Sequence, residues 1–156
     1  MDAPTPVSSP PQEPERLKLR AIDDEDLAVL AAFLQDSIAC VGEMAYLPEA
    51  RQFVLVVSRF CWERAVRDNT ERLYERVECA ITLEGVDEPQ FRGFRLRERS
   101  RLMPLLTLGW YEGAVMLTFG GGAALRLKAA KLDLRMEDFG PCWPTRYKPE
   151  HDREAS

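Results

Sequence analysis

The spacing of hydrophobic residues along this chain changes from a period of two to the three-four spacing of a helix and back again. Apolar and polar residues alternate from Arg16 to Ile22, which predicts a half-buried strand. Residues 23–26 are all acidic, and from Leu27 to Ile38 the apolar residues fall on one helix face. Because carboxylates accept hydrogen bonds from the free amides of a first turn, the acidic cluster predicts a helix start rather than a metal site.

Beyond this helix the pattern predicts strand after strand. The run Phe53–Val57 is typical of a central strand covered on both faces. Residues 62–76 fit either a loop or a short helix, and residues 129–138 fit either a strand extension or a terminal helix. Residues 85–89 predict a turn, and Gly140-Pro141 predict the end of the last element. The remaining predicted strands are 39–46, 52–60, 77–83, 102–110, 114–119 and a return from residue 124.

Successive strands without helices between them argue against a doubly wound parallel sheet. The expected fold class is α+β, with one N-terminal amphipathic helix packed on a mostly antiparallel sheet of about six to eight strands. The sheet is expected to be open or curled into an incomplete barrel.

The stretch LTFGGGAALRL contains three consecutive glycines, Gly120–Gly122. A phosphate-binding loop would need a Lys-Ser or Lys-Thr pair after the glycines, or a further glycine at a fixed offset, and then a helix. The residues that follow alternate like a strand instead, which predicts a hairpin turn. The alternative is a backbone that lies close to a ligand, which glycine also permits.

Composition sets the domain organisation. The chain of 156 residues, 46% hydrophobic and 30% charged, fits one globular domain. We expect a disordered Pro/Ser-rich tail at 1–15, a single domain at 16–147 and a polar tail at 148–156. With no signal sequence and no apolar membrane span, a cytoplasmic location is expected. The net charge of -5 disfavours non-specific attraction to nucleic acid or anionic lipid.

Few residues offer catalytic or metal chemistry. The four cysteines form no C-x-x-C pair, which excludes a zinc knuckle and predicts reduced thiols. The single histidine, His151, lies in the predicted C-terminal tail, where it could not be held against a nucleophile. Cys61 has cationic neighbours in the sequence but no identifiable base. We therefore expect no catalytic residue, no metal and no cofactor.

Two segments supply candidate binding residues. In SRFCWE, Phe60 and Trp62 are expected to pack on one face, with Arg59 and Glu63 pairing elsewhere. Arg59, Trp62 and Glu63 either line a site or brace the sheet. Trp143, in the aromatic segment FGPCWP, either seals the core or rims a pocket near Trp62.

The second segment, RGFRLRERSR, would place four arginines on one face if it were extended. Such a row could contact a nucleic-acid backbone, although a charged edge strand explains it more simply. The arginines are Arg95, Arg97, Arg99 and Arg101.

Four stretches read LKLRAIDDEDLAVLAAFLQD, FVLVVSRFCWE, LTFGGGAALRL and FGPCWPTRYKPEHD. Together they resemble a small alphaproteobacterial family of unknown function, over about residues 17–151. The family pattern has Asn where this chain has Ser58, and an acidic residue where it has Lys128–Lys131, which argues against a catalytic role at either position. The resemblance implies a bacterial cytoplasmic protein and implies no activity, cofactor or site.

Three functions follow from these patterns. The first is a non-catalytic binding or adaptor domain with a protein partner, motivated by the missing nucleophile-base pairs. The alternatives are weak nucleic-acid binding through the arginine row at 95–101, and a small-molecule enzyme with a pocket near Trp62 and Trp143.

Overall fold

Nine strands and two short helices make up residues 16–65 and 74–145, which a computed structural model describes. In chain order they are β1 (Lys18–Ala21), α1 (Asp24–Phe33), β2 (Ile38–Leu47), β3 (Gln52–Phe60), α2 (Trp62–Ala65), β4 (Tyr74–Glu84), β5 (Val86–Arg92), β6 (Leu102–Tyr111), β7 (Ala114–Phe119), β8 (Ala124–Ala129) and β9 (Leu134–Thr145). The predicted tails at 1–15 and 148–156 lie outside the described residues, as does His151. Neither described helix has the length and apolar character needed to cross a membrane.

All nine strands belong to one sheet in the order β1-β9-β4-β3-β2-β6-β7-β8-β5. Each neighbouring pair is antiparallel. The predicted α+β class, with a sheet of about six to eight strands, was wrong. The domain is mostly β, and its sheet is open, with β1 and β5 at the two edges, rather than an incomplete barrel.

Two strands account for this correction. β5 contains Asp87 and Pro89, residue types that usually mark turns, but at the edge of a sheet they also prevent pairing with other chains. β9 continues through Gly140 and Pro141, where an end was predicted. Gly140 has a positive φ of 71°, and an irregular register between β4 and β9 accommodates the change in the chain path.

Helix α1 begins at the acidic cluster, as predicted. The Asp23 side chain accepts a hydrogen bond from the Asp26 amide at 2.8 Å, and the Asp26 side chain accepts one from the Ile22 amide at 3.1 Å. Leu27 and Leu30 face the core. The helix contacts both β1 and β6, which are far apart in the strand order, and so it connects the two halves of the sheet.

The sheet folds around one hydrophobic core that takes side chains from both of its halves. In β3, Phe53, Leu55 and Val57 are buried, whereas Val54 and Val56 on the other side are half-buried. The prediction of a central strand is confirmed, but only one of its faces is fully covered. We call the opposite side of the sheet, away from this core, the outer face.

The three glycines form the predicted hairpin turn between β7 and β8, closed by a hydrogen bond of 2.8 Å from the Phe119 amide to the Ala123 carbonyl. The end of β5 packs against this turn at Gly93. A Cβ added to Gly93 would collide with the Gly122 carbonyl oxygen and lie 3.0 Å from its carbon. Glycine is therefore required at position 93 for the close backbone approach as well as for its φ of 75°.

Replacing Gly93 by Ala should destabilise the domain more than replacing Gly85. Both residues have positive φ, but a Cβ at Gly85 would meet nothing within 4 Å. Gly85→Ala should cost about 1 to 2 kcal/mol from the backbone conformation alone. Gly93→Ala should cost more, because the β7–β8 turn must also move. Urea unfolding of the two variants measures the difference, and equal losses would show that the turn is not packed on Gly93.

Candidate functional site

Arg59 lies on the core face of β3 with none of its surface exposed. Its Nε and Nη2 donate to the two carboxylate oxygens of Asp138, at 3.0 and 2.7 Å. Nη1 and Nη2 donate to the two oxygens of Glu63, at 2.9 and 3.0 Å, and Nη1 also reaches the Phe60 carbonyl at 3.4 Å. A guanidinium has five N–H donors. All of them are used inside the protein, so Arg59 has no donor left for a ligand.

The partners of Arg59 come from separate parts of the chain. Asp138 is on β9, two strands from β3, so the arginine side chain extends across β4 to reach it. Glu63 is on α2, four residues after Arg59. Asp138 also accepts a hydrogen bond from the Leu17 amide at 2.9 Å, and its own amide donates to the Leu17 carbonyl at 2.9 Å. This buried ion cluster of Arg59, Glu63 and Asp138 joins β3, β9, α2 and the residue that leads into β1.

The charges of the cluster and its burial shift the pKa values of Arg59 and of the neighbouring Cys79. Burial lowers the pKa of Arg59, but the hydrogen bonds and charges of Glu63 and Asp138 outweigh it and raise that pKa above its usual value. Burial, together with the nearby Asp138 carboxylate, raises the pKa of the Cys79 thiol to about 12. Cys79 is therefore a protonated, unreactive thiol at neutral pH.

The aromatic candidates lie on α2 and β9, the elements that also carry Glu63 and Asp138. Phe60 and Trp62 pack as predicted, edge to face with ring centres 4.6 Å apart. The Trp62 indole N–H donates to the Gln35 carbonyl at 2.9 Å. Trp143 is half-buried on β9, opposite Arg76 of β4. Thus Trp62 has a structural hydrogen bond, and Glu63, which was expected to pair elsewhere, pairs with Arg59 itself.

The predicted arginine row does not adopt the extended conformation that would place it on one face. Residues 93–101 form turns between β5 and β6. Arg99 donates to the Gly42 carbonyl at 2.7 Å, and Arg101 donates to the Gly93 carbonyl at 2.8 Å and pairs with Glu98. These two arginines hold the turns against the domain. The other two, Arg95 and Arg97, are exposed.

A groove of about 580 Å³ opens on the outer face of β7, β8 and β5, next to the glycine turn. Strand pairing places Met116, Arg126 and Gln90 in one row across the three strands. The next row is Thr118, Ala124 and Arg92. Phe91, Phe119, Gly122 and Ala123 complete the lining.

Sequence reasoning missed this groove. The period-two pattern of β8 would have placed Arg126 on the outer face, but β5 was interpreted as a turn, so Gln90 and Arg92 had no strand to lie on. The glycine turn does border the groove through Gly122. Within residues 16–65 and 74–145, no group of three or more His, Cys, Asp or Glu side chains could hold a metal ion.

The family model described as Protein of unknown function (DUF2948) matches residues 17–151. The chain belongs to this family. The predicted resemblance to a family of unknown function is thereby confirmed, whereas the alphaproteobacterial origin stays a prediction. No curated protein matches the chain, and no solved structure matches it.

Breaking the buried ion cluster of the DUF2948 domain should destabilise it strongly. Asp138→Ala leaves Arg59 buried without one of its two carboxylates, and such a loss costs about 3 to 5 kcal/mol. Arg20 and Asp133 form a matched control, because they make the same two-bond arrangement at 2.9 and 3.1 Å on the surface. Asp133→Ala should have a much smaller effect. Urea unfolding of both variants tests this, and similar losses would contradict the structural role of the cluster.

The thiols of the DUF2948 domain should differ in reactivity. At pH 8 a disulfide reagent should modify the half-buried Cys40 while the domain stays folded, because this thiol is partly accessible. Cys79 should react only when the domain unfolds, since it is buried and its pKa is raised to about 12. Mass spectrometry of digested samples measures each rate. Fast labelling of Cys79 in the folded domain would contradict its placement beside Asp138.

Proposed function

We propose that this DUF2948 domain is a non-catalytic binding domain for a partner protein, and that the groove on β7, β8 and β5 is its binding site. The groove carries this proposal, because it combines an apolar lining with two guanidinium groups on a rigid sheet. Met116 and Ala124 supply apolar surface, and Arg92 and Arg126 supply charge-assisted donors.

The composition of the surrounding face supports a protein partner. Protein interfaces are enriched in Tyr, Met and Arg. The outer face of β6 and β7 adds Tyr111, whose residue surface is 64% exposed, next to the row that contains Met116 and Arg126. A Cβ at Gly109 would lie 2.6 Å from the Tyr111 ring. Glycine at 109 therefore lets the ring lie flat along the strand, where it presents a ready contact surface.

The reactive groups of the domain favour binding over catalysis. The charged residues that do come together, the buried Arg59 and Asp138 and the half-buried Glu63, satisfy one another. The residues that line the groove offer guanidinium, amide, hydroxyl and apolar groups. These groups position a ligand, whereas proton transfer uses carboxylates, imidazoles or thiols.

We also propose a cytoplasmic location. The four cysteines all lie in the described residues, and none of them forms a disulfide. A reducing compartment keeps thiols in this state.

A bulky residue in the groove should abolish partner binding. Ala124 points from β8 into the groove, and Ala80 provides a matched control, since it is a half-buried alanine on the outer face of another inner strand, β4. We expect the tagged wild type and Ala80→Trp to retain the same stoichiometric partner from native cytoplasm. Ala124→Trp should lose it by at least about tenfold, as expected for a blocked hot spot.

The readout is quantitative mass spectrometry of the bound proteins, with circular dichroism to confirm that both variants fold. Equal capture by all three proteins would place the binding site elsewhere. If the folded wild type retains no stoichiometric protein, the proposal of a protein-binding function fails.

A further inference from the structure

Arg92 and Arg126 are the two arginines that line the groove. Arg126 is half-buried in the middle of the groove, and its Nη1 donates to the neutral Gln90 side-chain oxygen at 2.8 Å. No ion pair joins Arg92 or Arg126 to any carboxylate in the described part of the chain. Five other arginines do pair with a carboxylate: Arg20, Arg51, Arg59, Arg101 and Arg135.

The two guanidinium groups can converge on one anion. Gln90 pairs with Arg126 and Arg92 pairs with Ala124 in the β5–β8 register, so the arginines are diagonal neighbours. Diagonal residues on adjacent antiparallel strands are about 7 to 8 Å apart, within reach of long side chains. Between them the small Ala124 leaves room for a ligand group.

Arg126 is held in place for such a contact. The Gln90 amide nitrogen donates to Glu88 at 3.1 Å, which fixes the amide so that its oxygen faces Arg126. Arg126 makes one bond to this oxygen, and its other donors are left for a ligand. A carboxylate, with two oxygens in the plane of the guanidinium fork, is the complementary group.

We infer that the groove binds an acidic segment of the partner protein, with one Asp or Glu carboxylate held between Arg92 and Arg126. This inference rests on the proposed protein-binding function. The apolar neighbours of the acidic residue would pack on Met116, which lines the same groove. The uncompensated positive pair on a protein of net charge -5 gives the groove a local charge complementary to such a segment.

The same face is poorly suited to nucleic acid. Binding to a phosphate backbone needs cations repeated along the strand, and its affinity grows with each neutralised phosphate. In the row beside the groove, Lys128 lies opposite Glu88, whose negative charge opposes that of the lysine. Only the two arginines then remain, which suits one carboxylate rather than a chain of phosphates.

The probes are two blocked peptides, N-acetyl-Leu-Glu-Leu-amide and its Gln isostere, titrated into ¹⁵N-labelled full chain and followed by NMR. We expect the Glu peptide to shift the amide signals of β5 and β8. The Gln peptide should bind at least about tenfold more weakly, since its neutral amide forms no ion pair with the guanidinium groups and cannot accept two parallel hydrogen bonds from one of them. Equal binding of the two peptides would overturn the inference.

Matched variants test the assigned arginine. Arg126→Gln should weaken binding of the Glu peptide by about tenfold, whereas Arg135→Gln, which removes an exposed arginine from the outer face of β9, should not. Unchanged binding to Arg126→Gln would contradict the site. Tighter binding of an oligothymidylate or of inorganic phosphate than of the Glu peptide would also overturn the inference, in favour of a phosphate-bearing ligand.

The variants distinguish a failure of the carboxylate inference from a failure of the proposed protein-binding function. If Ala124→Trp loses its partner while Arg126→Gln retains it fully, the groove binds a protein but not through a carboxylate. If both variants lose the partner and Arg135→Gln retains it, the proposed function and the carboxylate inference both stand.

Discussion

The buried guanidinium of Arg59 fixes the relative positions of several elements in one half of this domain. A charge removed from water must be matched by opposite charges and have its hydrogen bonds completed, or the fold is strongly destabilised. Arg59 meets that requirement with Glu63 and Asp138, whose positions fix α2 and β9 relative to β3. Because Asp138 is also bonded to Leu17, the same cluster holds the entry into β1. The ion cluster thus fixes the relative positions of these elements through hydrogen bonds, as the apolar core does through packing.

The other half of the sheet uses its charges differently. On β5 and β8 the arginines point outward from a well-packed strand pair, and one of them is oriented by an amide rather than neutralised by an acid. The glycine turn and Gly93 bring the backbones at the end of this pair close together. The domain therefore combines one guanidinium that is fully satisfied inside the core with two that have donors available in the groove. We assign a structural role to Arg59 and a binding role to Arg92 and Arg126.

Local patterns predicted the local features correctly. The Asp23 cap, the hairpin at Gly120–Gly122 and the Phe60–Trp62 contact each depend on residues close in sequence. The fold class was wrong because an edge strand such as β5 has the composition of a turn. Arg59 and Glu63 were candidate binding residues that were expected to pair elsewhere, and the third member of the cluster, Asp138, is 79 residues from Arg59, so that no periodicity connects them. Likewise the diagonal placement of Arg92 and Arg126 is a property of strand register, which sequence patterns did not supply.

The most direct measurement is the NMR spectrum of the arginine side chains, recorded with ¹⁵N-labelled protein and assigned by single Arg-to-Lys variants. The exchange rate of each Nε proton with water reports whether a guanidinium is enclosed and bonded. The account predicts that the Arg59 Nε proton exchanges at least about tenfold more slowly than those of Arg92 and Arg126. Rapid exchange at Arg59, or protection of Arg92 and Arg126 equal to that of Arg59, would contradict the division between a structural arginine and two binding arginines.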